Sequence, residues 1–218
     1  MTSNRAIKDA LFDQVARIAK AVASPKRLEL IELLCQSPMS VETLATEAGI
    51  SVKLASAHLK ELRAARLVET ERRGKYIIYH IASVEVPRLW VLLRTLAEDR
   101  LFELQDALKQ LSASTSEWRG ETRDDLLKKA RSGEVVILDV RPTAEFDQRH
   151  LPFARSMPLA ELRARLAELP KDKPVVAYCR GPYCLMSADA VKLLNQEGYT
   201  ALQLREGVNE WTAEQAGA

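Results

Sequence analysis

Apolar residues recur at helical spacing through about the first 65 positions, and the rhythm then changes. Leu11, Val15, Ile18 and Val22 mark one amphipathic helix. Ser24-Pro25 opens a second with Leu28, Ile31, Leu34 and Cys35, since proline suits a first helical turn. In 40-SVETLATEAGI-50, Ser40 followed three residues later by Thr43 is half a capping box, and Gly49 stops a short third helix. A fourth helix starts at Ser51; Leu54, Leu59 and Leu62 are expected to face the core, and Ser51, Lys53, Ser56, Ala57 and Lys60 to face outward. In 67-LVETERRGKYIIYHI-81 two β-rich runs flank Arg72-Arg73-Gly74-Lys75, which predicts a hairpin with a basic tip. One long helix over about 84–111 follows, carrying Val84, Leu89, Leu92, Leu93, Leu96, Leu101, Leu104 and Leu108, more apolar surface than a small domain needs.

Beyond the Ser- and Thr-rich stretch 112-SASTSEWRGE-121, read as a linker, the pattern alternates. Helix 124–131 precedes strand 135–139. Helices near 143–149 and 159–168 precede strand 174–178, helix 185–197 precedes strand 200–204, and a last helix covers about 207–216. Short apolar runs separated by helices predict a parallel sheet covered on both faces. The expected organisation is therefore two domains, a mainly α unit with a β-hairpin over 1–111 and an α/β unit over 122–218, joined by 112–121.

Composition narrows the class. Of 218 residues, 47% are hydrophobic and 28% charged, which excludes disordered, collagenous and disulfide-dense chains. No apolar run approaches the roughly 18 residues that cross a bilayer, and the N-terminus lacks a signal-peptide stretch, so a cytoplasmic protein without a membrane partner is expected. Net charge is +2, with +3 in residues 1–111 and −1 in 112–218, so the basic excess sits in the first half. Cys35, Cys179 and Cys184 are too few for a disulfide framework; in a reducing compartment such residues are buried, metal-binding or reactive.

A short helix, a glycine turn, a second helix and a basic hairpin make the winged form of helix-turn-helix, whose second helix enters the major groove. Through 25-PKRLELIELL-34, 43-TLATEAGIS-51 and 56-SAHLKELRAARLVETERRGKYIIYHI-81, about half the chain resembles the ArsR/SmtB family of small dimeric bacterial repressors. Arg66 stands where that family usually has glycine and must take a helix-end conformation that glycine takes more easily. The resemblance implies double-stranded operator DNA as partner, met by Ser51, Lys53, Ser56, Ala57 and Lys60 on the recognition helix. His58 serves either helix packing or a phosphate. Arg72, Arg73 and Lys75 at the wing tip are placed for the minor groove or flanking phosphates. The long leucine-rich helix and the first helix are expected to build a homodimer matching two half-sites. Family metal sites use Cys or His on the third or last helix; 41–48 has no Cys and 84–111 neither Cys nor His, so no metal is expected. Cys35 reads as a small buried hydrophobe.

The second half carries 138-LDVRPTAEFDQRHLPFARSMPL-159, 178-YCRGPYCLMS-187 and 204-LREGVNEW-211, and from about 122 to 216 it resembles the rhodanese (sulfurtransferase) domain. That resemblance makes Cys179 the residue that takes a sulfane sulfur as a covalent persulfide, with no other cofactor, from a donor such as polysulfide, persulfide or thiosulfate. A cysteine between a parallel strand and a helix also faces convergent N–H groups that favour its thiolate, and Arg180 adds a cation. Asp139 and Arg141 read as structural support, and Glu145 and His150 as scaffold. The family loop has Gly fourth and often Arg sixth, whereas Gly181 is third here, Pro182 fourth and Cys184 sixth. Pro182 removes one N–H, so weak thiosulfate turnover is expected. Leu185 six residues after Cys179 excludes a Cys-x5-Arg anion cradle. Cys184 either resolves a Cys179 persulfide or fills the first turn of the next helix.

Three functions compete on these features. The first is a repressor whose operator affinity responds to reactive sulfur at Cys179. The second is a sulfurtransferase tethered to DNA or a partner by its winged domain. The third is an arsenic- or metal-responsive repressor using Cys179 and Cys184, which lacks an evident third ligand.

Overall fold

A computed structural model describes residues 2–112, 116–118 and 122–215. The chain divides into two compact units, Met1–Trp90 and Val91–Ala218.

In the first unit, α1 (Thr2–Val22), α2 (Pro25–Leu34), α3 (Val41–Glu47) and α4 (Val52–Ala64) accompany a small antiparallel sheet of order β1-β3-β2, with β1 Met39–Ser40, β2 Val68–Arg73 and β3 Tyr76–Ile81. Side-chain caps fix both helices of the helix-turn-helix. The Thr43 N–H donates to Ser40 Oγ at 3.2 Å, and the Leu54 N–H to Ser51 Oγ at 3.2 Å. Arg66 is left-handed at φ +58°, and the paired bonds Leu67 N–H to Leu62 O (3.0 Å) and Arg66 N–H to Arg63 O (2.9 Å) close α4 in a Schellman motif. Arg73 pairs with Tyr76 across the two-residue loop Gly74-Lys75, so the wing is a tight hairpin.

Leu30, Ile31, Leu44, Ala55, Leu59 and Leu62 form the buried heart of this unit. Leu54 departs from expectation and is 42% exposed. The inward stripe of α4 runs through positions 55, 59 and 62, and Leu54 lies about 100° round the helix from Ala55. Cys35 is buried.

The expected single helix over 84–111 is two: α5 (Glu85–Arg100) and α6 (Phe102–Ser112), broken at Leu101. The Gln105 side chain donates to the Glu98 carbonyl at 2.8 Å, occupying the acceptor that Phe102 N–H would use in an unbroken helix. The division between units falls within α5, so residues 91–112 count with the second unit.

The rest of the second unit contains α7 (Arg123–Ser132), β4 (Val136–Asp139), α8 (Thr143–Gln148), β5 (Arg155–Ser156), α9 (Leu159–Arg165), β6 (Val175–Tyr178), α10 (Met186–Gln196), β7 (Ala201–Gln203) and α11 (Val208–Gln215). The four strands are parallel in the order β5-β4-β6-β7. Alternation sorts their side chains onto two faces. Val136, Leu138, Val175, Ala177 and Ala201 pack on one side with Leu162, Val191 and Leu194. Ile137, Val176 and Tyr178 pack on the other with Leu126, Val208 and Trp211. The expected sheet with both faces covered is present, and β5 is an edge strand too short for periodicity to reveal.

The linker expected over 112–121 lies outside the described residues at 113–115 and 119–121. Its middle is not free chain: Trp118 N–H donates to Gln203 O at 2.9 Å, and Gln203 N–H to Ser116 O at 2.8 Å, extending the β7 edge. Among the described residues no helix is long and apolar enough to cross a membrane.

Candidate functional site

Cys179 follows β6 directly, at the carboxyl end of an inner strand, and is 1% exposed. Burial alone pushes its thiol pKa up. Hydrogen bonds from the Cys184 thiol, the Ser187 hydroxyl and the Ser187 and Gly181 backbone N–H groups outweigh that burial and bring the thiol below its usual value. The Ser187 hydroxyl lies 3.2 Å from the Cys179 sulfur and accepts from Gln203 Nε2 at 2.9 Å. Cys184 moves the other way: the hydrogen bond to Cys179, burial and the neighbouring thiolate keep it protonated. The Cys179 sulfur also lies 3.5 Å from the Cys184 carbonyl, so the two cysteines are close neighbours whose thiols shift in opposite directions, Cys179 toward the nucleophilic thiolate and Cys184 toward the protonated form.

Arg180, expected as a cation beside an anionic donor, is bound elsewhere. Its guanidinium meets buried Glu145 at 2.6 Å and 3.0 Å, so its charge is largely neutralised within the scaffold. Asp139 and Arg141 form a buried pair at 2.6 Å. Arg141 Nη2 also donates to Arg149 O at 2.7 Å, while Tyr178 OH donates to Asp139 at 2.5 Å and accepts from Leu151 N–H at 3.1 Å. This network ties the ends of β4 and β6 to the 149–151 loop. His150 is exposed, stacks on Phe146 and has Nδ1 3.0 Å from the Phe146 carbonyl, away from the thiols' hydrogen bonds.

Sequence reasoning missed Ser187, Gln203, Gly207 and Glu210. A Cβ built on Gly207 would lie 2.5 Å from Arg180 O and 2.8 Å from Cys179 O, so the loop backbone rests against a position closed to any side chain. Its N–H donates to Glu210 Oε2 at 2.6 Å, and Glu210 Oε1 accepts from Arg94 Nη1 at 2.7 Å. The segment 204-LREGVNEW-211 signalled this support without identifying what Gly207 and Glu210 touch.

On the first unit, Ser51, Lys53, Ser56, Ala57 and Lys60 are exposed along α4 and His58 is half-buried. Ser51 Oγ is already engaged as the helix cap. At the exposed wing tip Arg72 Nε donates to Gly74 O at 3.2 Å, Arg73 pairs with Glu71 at 3.0 Å, and Lys75 lies over the Tyr76 ring. Glu71 is held below its ordinary carboxylate pKa first by the Arg73 hydrogen bond and then by its charge.

A family model of the rhodanese-like domain matches residues 122–214, and one of the arsR family of bacterial regulatory proteins matches 24–70. The HTH-type transcriptional regulator Rv0324 of Mycobacterium tuberculosis is 41% identical over 204 residues, covering 94% of this chain and 89% of its own length. The chain is an ArsR-family transcriptional regulator with a rhodanese domain. This ArsR–rhodanese regulator is also similar to a sulfurtransferase of Allochromatium vinosum, 37% identical over 83 residues that make up 38% of this chain and 76% of that protein. The solution NMR structure of the homodimeric winged helix-turn-helix DNA-binding domain of Mb0332 from Mycobacterium bovis aligns at 42% identity and TM-score 0.42, covering 44% of this chain and 89% of that one.

Proposed function

We propose that this regulator binds operator DNA as a homodimer and that sulfane sulfur loaded onto Cys179 changes its operator affinity. The observation that carries the reading is the Cys179 environment: a buried thiol at the carboxyl end of an inner strand, 3.2 Å from the Ser187 hydroxyl and drawn toward thiolate by the polar groups around it, within a chain of the ArsR family. The thiolate attacks the outer sulfur of a polysulfide or persulfide; that S–S bond breaks, its electron pair leaves with the donor's remaining thiolate, and Cys179 holds a persulfide anion. The cradle that steadies the thiolate serves the persulfide. Arg180 is paired with Glu145 and Pro182 lacks an N–H, so the loop favours such donors over dianionic thiosulfate. Cys184 can then attack the Cys179 sulfur, forming a disulfide and releasing hydrosulfide with its own proton.

Dimerisation is supported by apolar surface that helices of a soluble monomer seldom show. Ile7, Leu11, Phe12 and Val15 on α1, and Leu92, Leu96, Leu101 and Phe102 at α5 and the start of α6, are all more than half exposed. Lys53, Lys60, Arg72 and Lys75 supply the phosphate-facing charge.

The test is operator binding by the reduced protein before and after inorganic polysulfide, beside Cys179→Ser. The expected result is a shift of at least about tenfold, or 1.4 kcal/mol, lost in the variant. Constant affinity, with Cys179 persulfidated and passing sulfur onward, would instead establish a DNA-tethered sulfurtransferase.

A further inference from the structure

Within the second unit, Arg94 is the long-range partner of the thiol loop. It is 5% exposed, although arginine is seldom buried without a specific partner. Its guanidinium binds Glu210 at 2.7 Å and Glu98 at 3.3 Å. It lies 5.8 Å from the centroid of the Tyr183 ring, and its Nη1 is 3.4 Å from where a Cβ on Gly181 would stand. Gly181 stands two residues after Cys179 in the same loop, and its carbonyl accepts from the Cys184 N–H at 3.1 Å, so it joins the two cysteines. Glu210, through its second oxygen, holds the N–H of Gly207, on which the carbonyls of Cys179 and Arg180 rest. One buried ion pair therefore touches the loop from two sides: Arg94 at Gly181 and Tyr183, Glu210 through Gly207.

Arg94 belongs to α5, whose hydrogen-bonded turns start at Glu85 and end at Arg100. That helix also carries Leu92 and Leu96 of the exposed apolar surface. A helix is stiff over sixteen residues, and a shift of the guanidinium must be accommodated by the turn that bears it. We propose that the Arg94–Glu210 pair is the coupling element that passes the sulfur state of Cys179 to helix α5. This rests on the sulfur-responsive reading above. An added sulfur or a Cys179–Cys184 disulfide must displace the loop at Gly181 or Tyr183, and a buried arginine held between Glu98 on its own helix and Glu210 on α11 can trade one carboxylate against the other, which offers two discrete arrangements rather than a continuous drift. Coupling of this kind requires only that the two arrangements differ in free energy between the loaded and reduced loop.

The experiment uses the full chain and a DNA duplex selected by the reduced protein from a random-sequence pool. The double variant Arg94→Met/Glu210→Gln removes both charges of the pair together, and Glu98, which loses its 3.3 Å contact to Arg94, is 26% exposed and can turn to water. Its glutamine oxygen can still accept the Gly207 N–H. Wild type should shift affinity about tenfold or more on treatment with inorganic polysulfide. The variant should bind the duplex as reduced wild type does and carry persulfide on Cys179 by mass spectrometry, yet shift by less than about twofold. A full shift in the loaded variant overturns the coupling role. So does failure of the variant to load, which would place Arg94 in the chemistry of the loop instead. No shift in wild type overturns the sulfur-responsive reading first and the coupling with it. A variant-free measurement guards against misfolding: amide hydrogen exchange of residues 85–100 in wild type should change on polysulfide treatment, and unchanged protection there overturns the proposal.

Discussion

Around Cys179, the Ser187 hydroxyl, the Gln203 amide and the Asp139–Arg141 pair are buried and already bonded to one another or to the sulfur. On α4 and the wing, Lys53, Ser56, Lys60, Arg72 and Lys75 stand exposed to solvent. A reactive sulfur needs its electrostatics set before the donor arrives, since dipoles fixed in a dry site cost no reorganisation at the moment of reaction. A phosphate backbone supplies its own strong field, so long cationic side chains can wait in water and gain by releasing counterions when they meet it. Damage to the first site should therefore emerge as altered stability and thiol chemistry, and damage to the second as salt-dependent affinity.

The largest effect is expected at Asp139. Asp139→Ala leaves Arg141 buried without its carboxylate, and denaturant unfolding should show the loss of about 3–5 kcal/mol. The wing offers the opposite outcome. Arg72→Ala/Lys75→Ala should leave unfolding within about 0.5 kcal/mol of wild type. It should weaken operator binding by about tenfold at physiological salt and flatten the slope of log K against log salt by about 0.9 for each phosphate that is no longer neutralised. Arg73→Ala should cost less than Arg72→Ala, because Arg73 must leave Glu71 before it can reach DNA. Equal losses would show that the Glu71 pair does not restrain it.

What could be read from the chain alone followed the range of the interaction. The half capping box at Ser40, the helix start at Ser51, the strain at Arg66 and the position of Cys179 after an apolar strand are all set within a few residues. The partners of the site are not. Arg180 meets Glu145 thirty-five residues away, Glu210 meets Arg94 across 116, and no period or motif spans such distances. Leu54 escapes the pattern because its apolarity fits two neighbouring helix faces. At the break at Leu101 a side-chain amide takes a backbone acceptor, a contact that no apolar period announces. Strands of two residues, Met39–Ser40 and Arg155–Ser156, are shorter than any alternation that could announce them.

Two smaller effects sharpen the contrast between the regions. Ser187→Ala removes a donor to the Cys179 sulfur, whose thiol pKa is held low by such donors, so its thiolate forms at higher pH. The midpoint of the iodoacetamide alkylation rate against pH should rise by about one unit, with DNA affinity of the reduced protein unchanged. An unmoved midpoint would assign the low pKa to the backbone N–H groups and Cys184. Arg66→Gly relieves a left-handed backbone and should stabilise the first unit by up to about 1 kcal/mol, read as a higher midpoint of thermal unfolding.

Gly207 has a consequence for how this regulator can change over generations. With the carbonyls of two loop residues standing where any Cβ would go, position 207 admits one amino acid, and the coding possibilities around it collapse to synonymous codons. Variation in this loop must arise instead at side chains that are only half-buried, such as Pro182 and Tyr183. A single hydrogen atom on one α-carbon thus divides the loop into a backbone that selection must hold still and a rim it is able to vary.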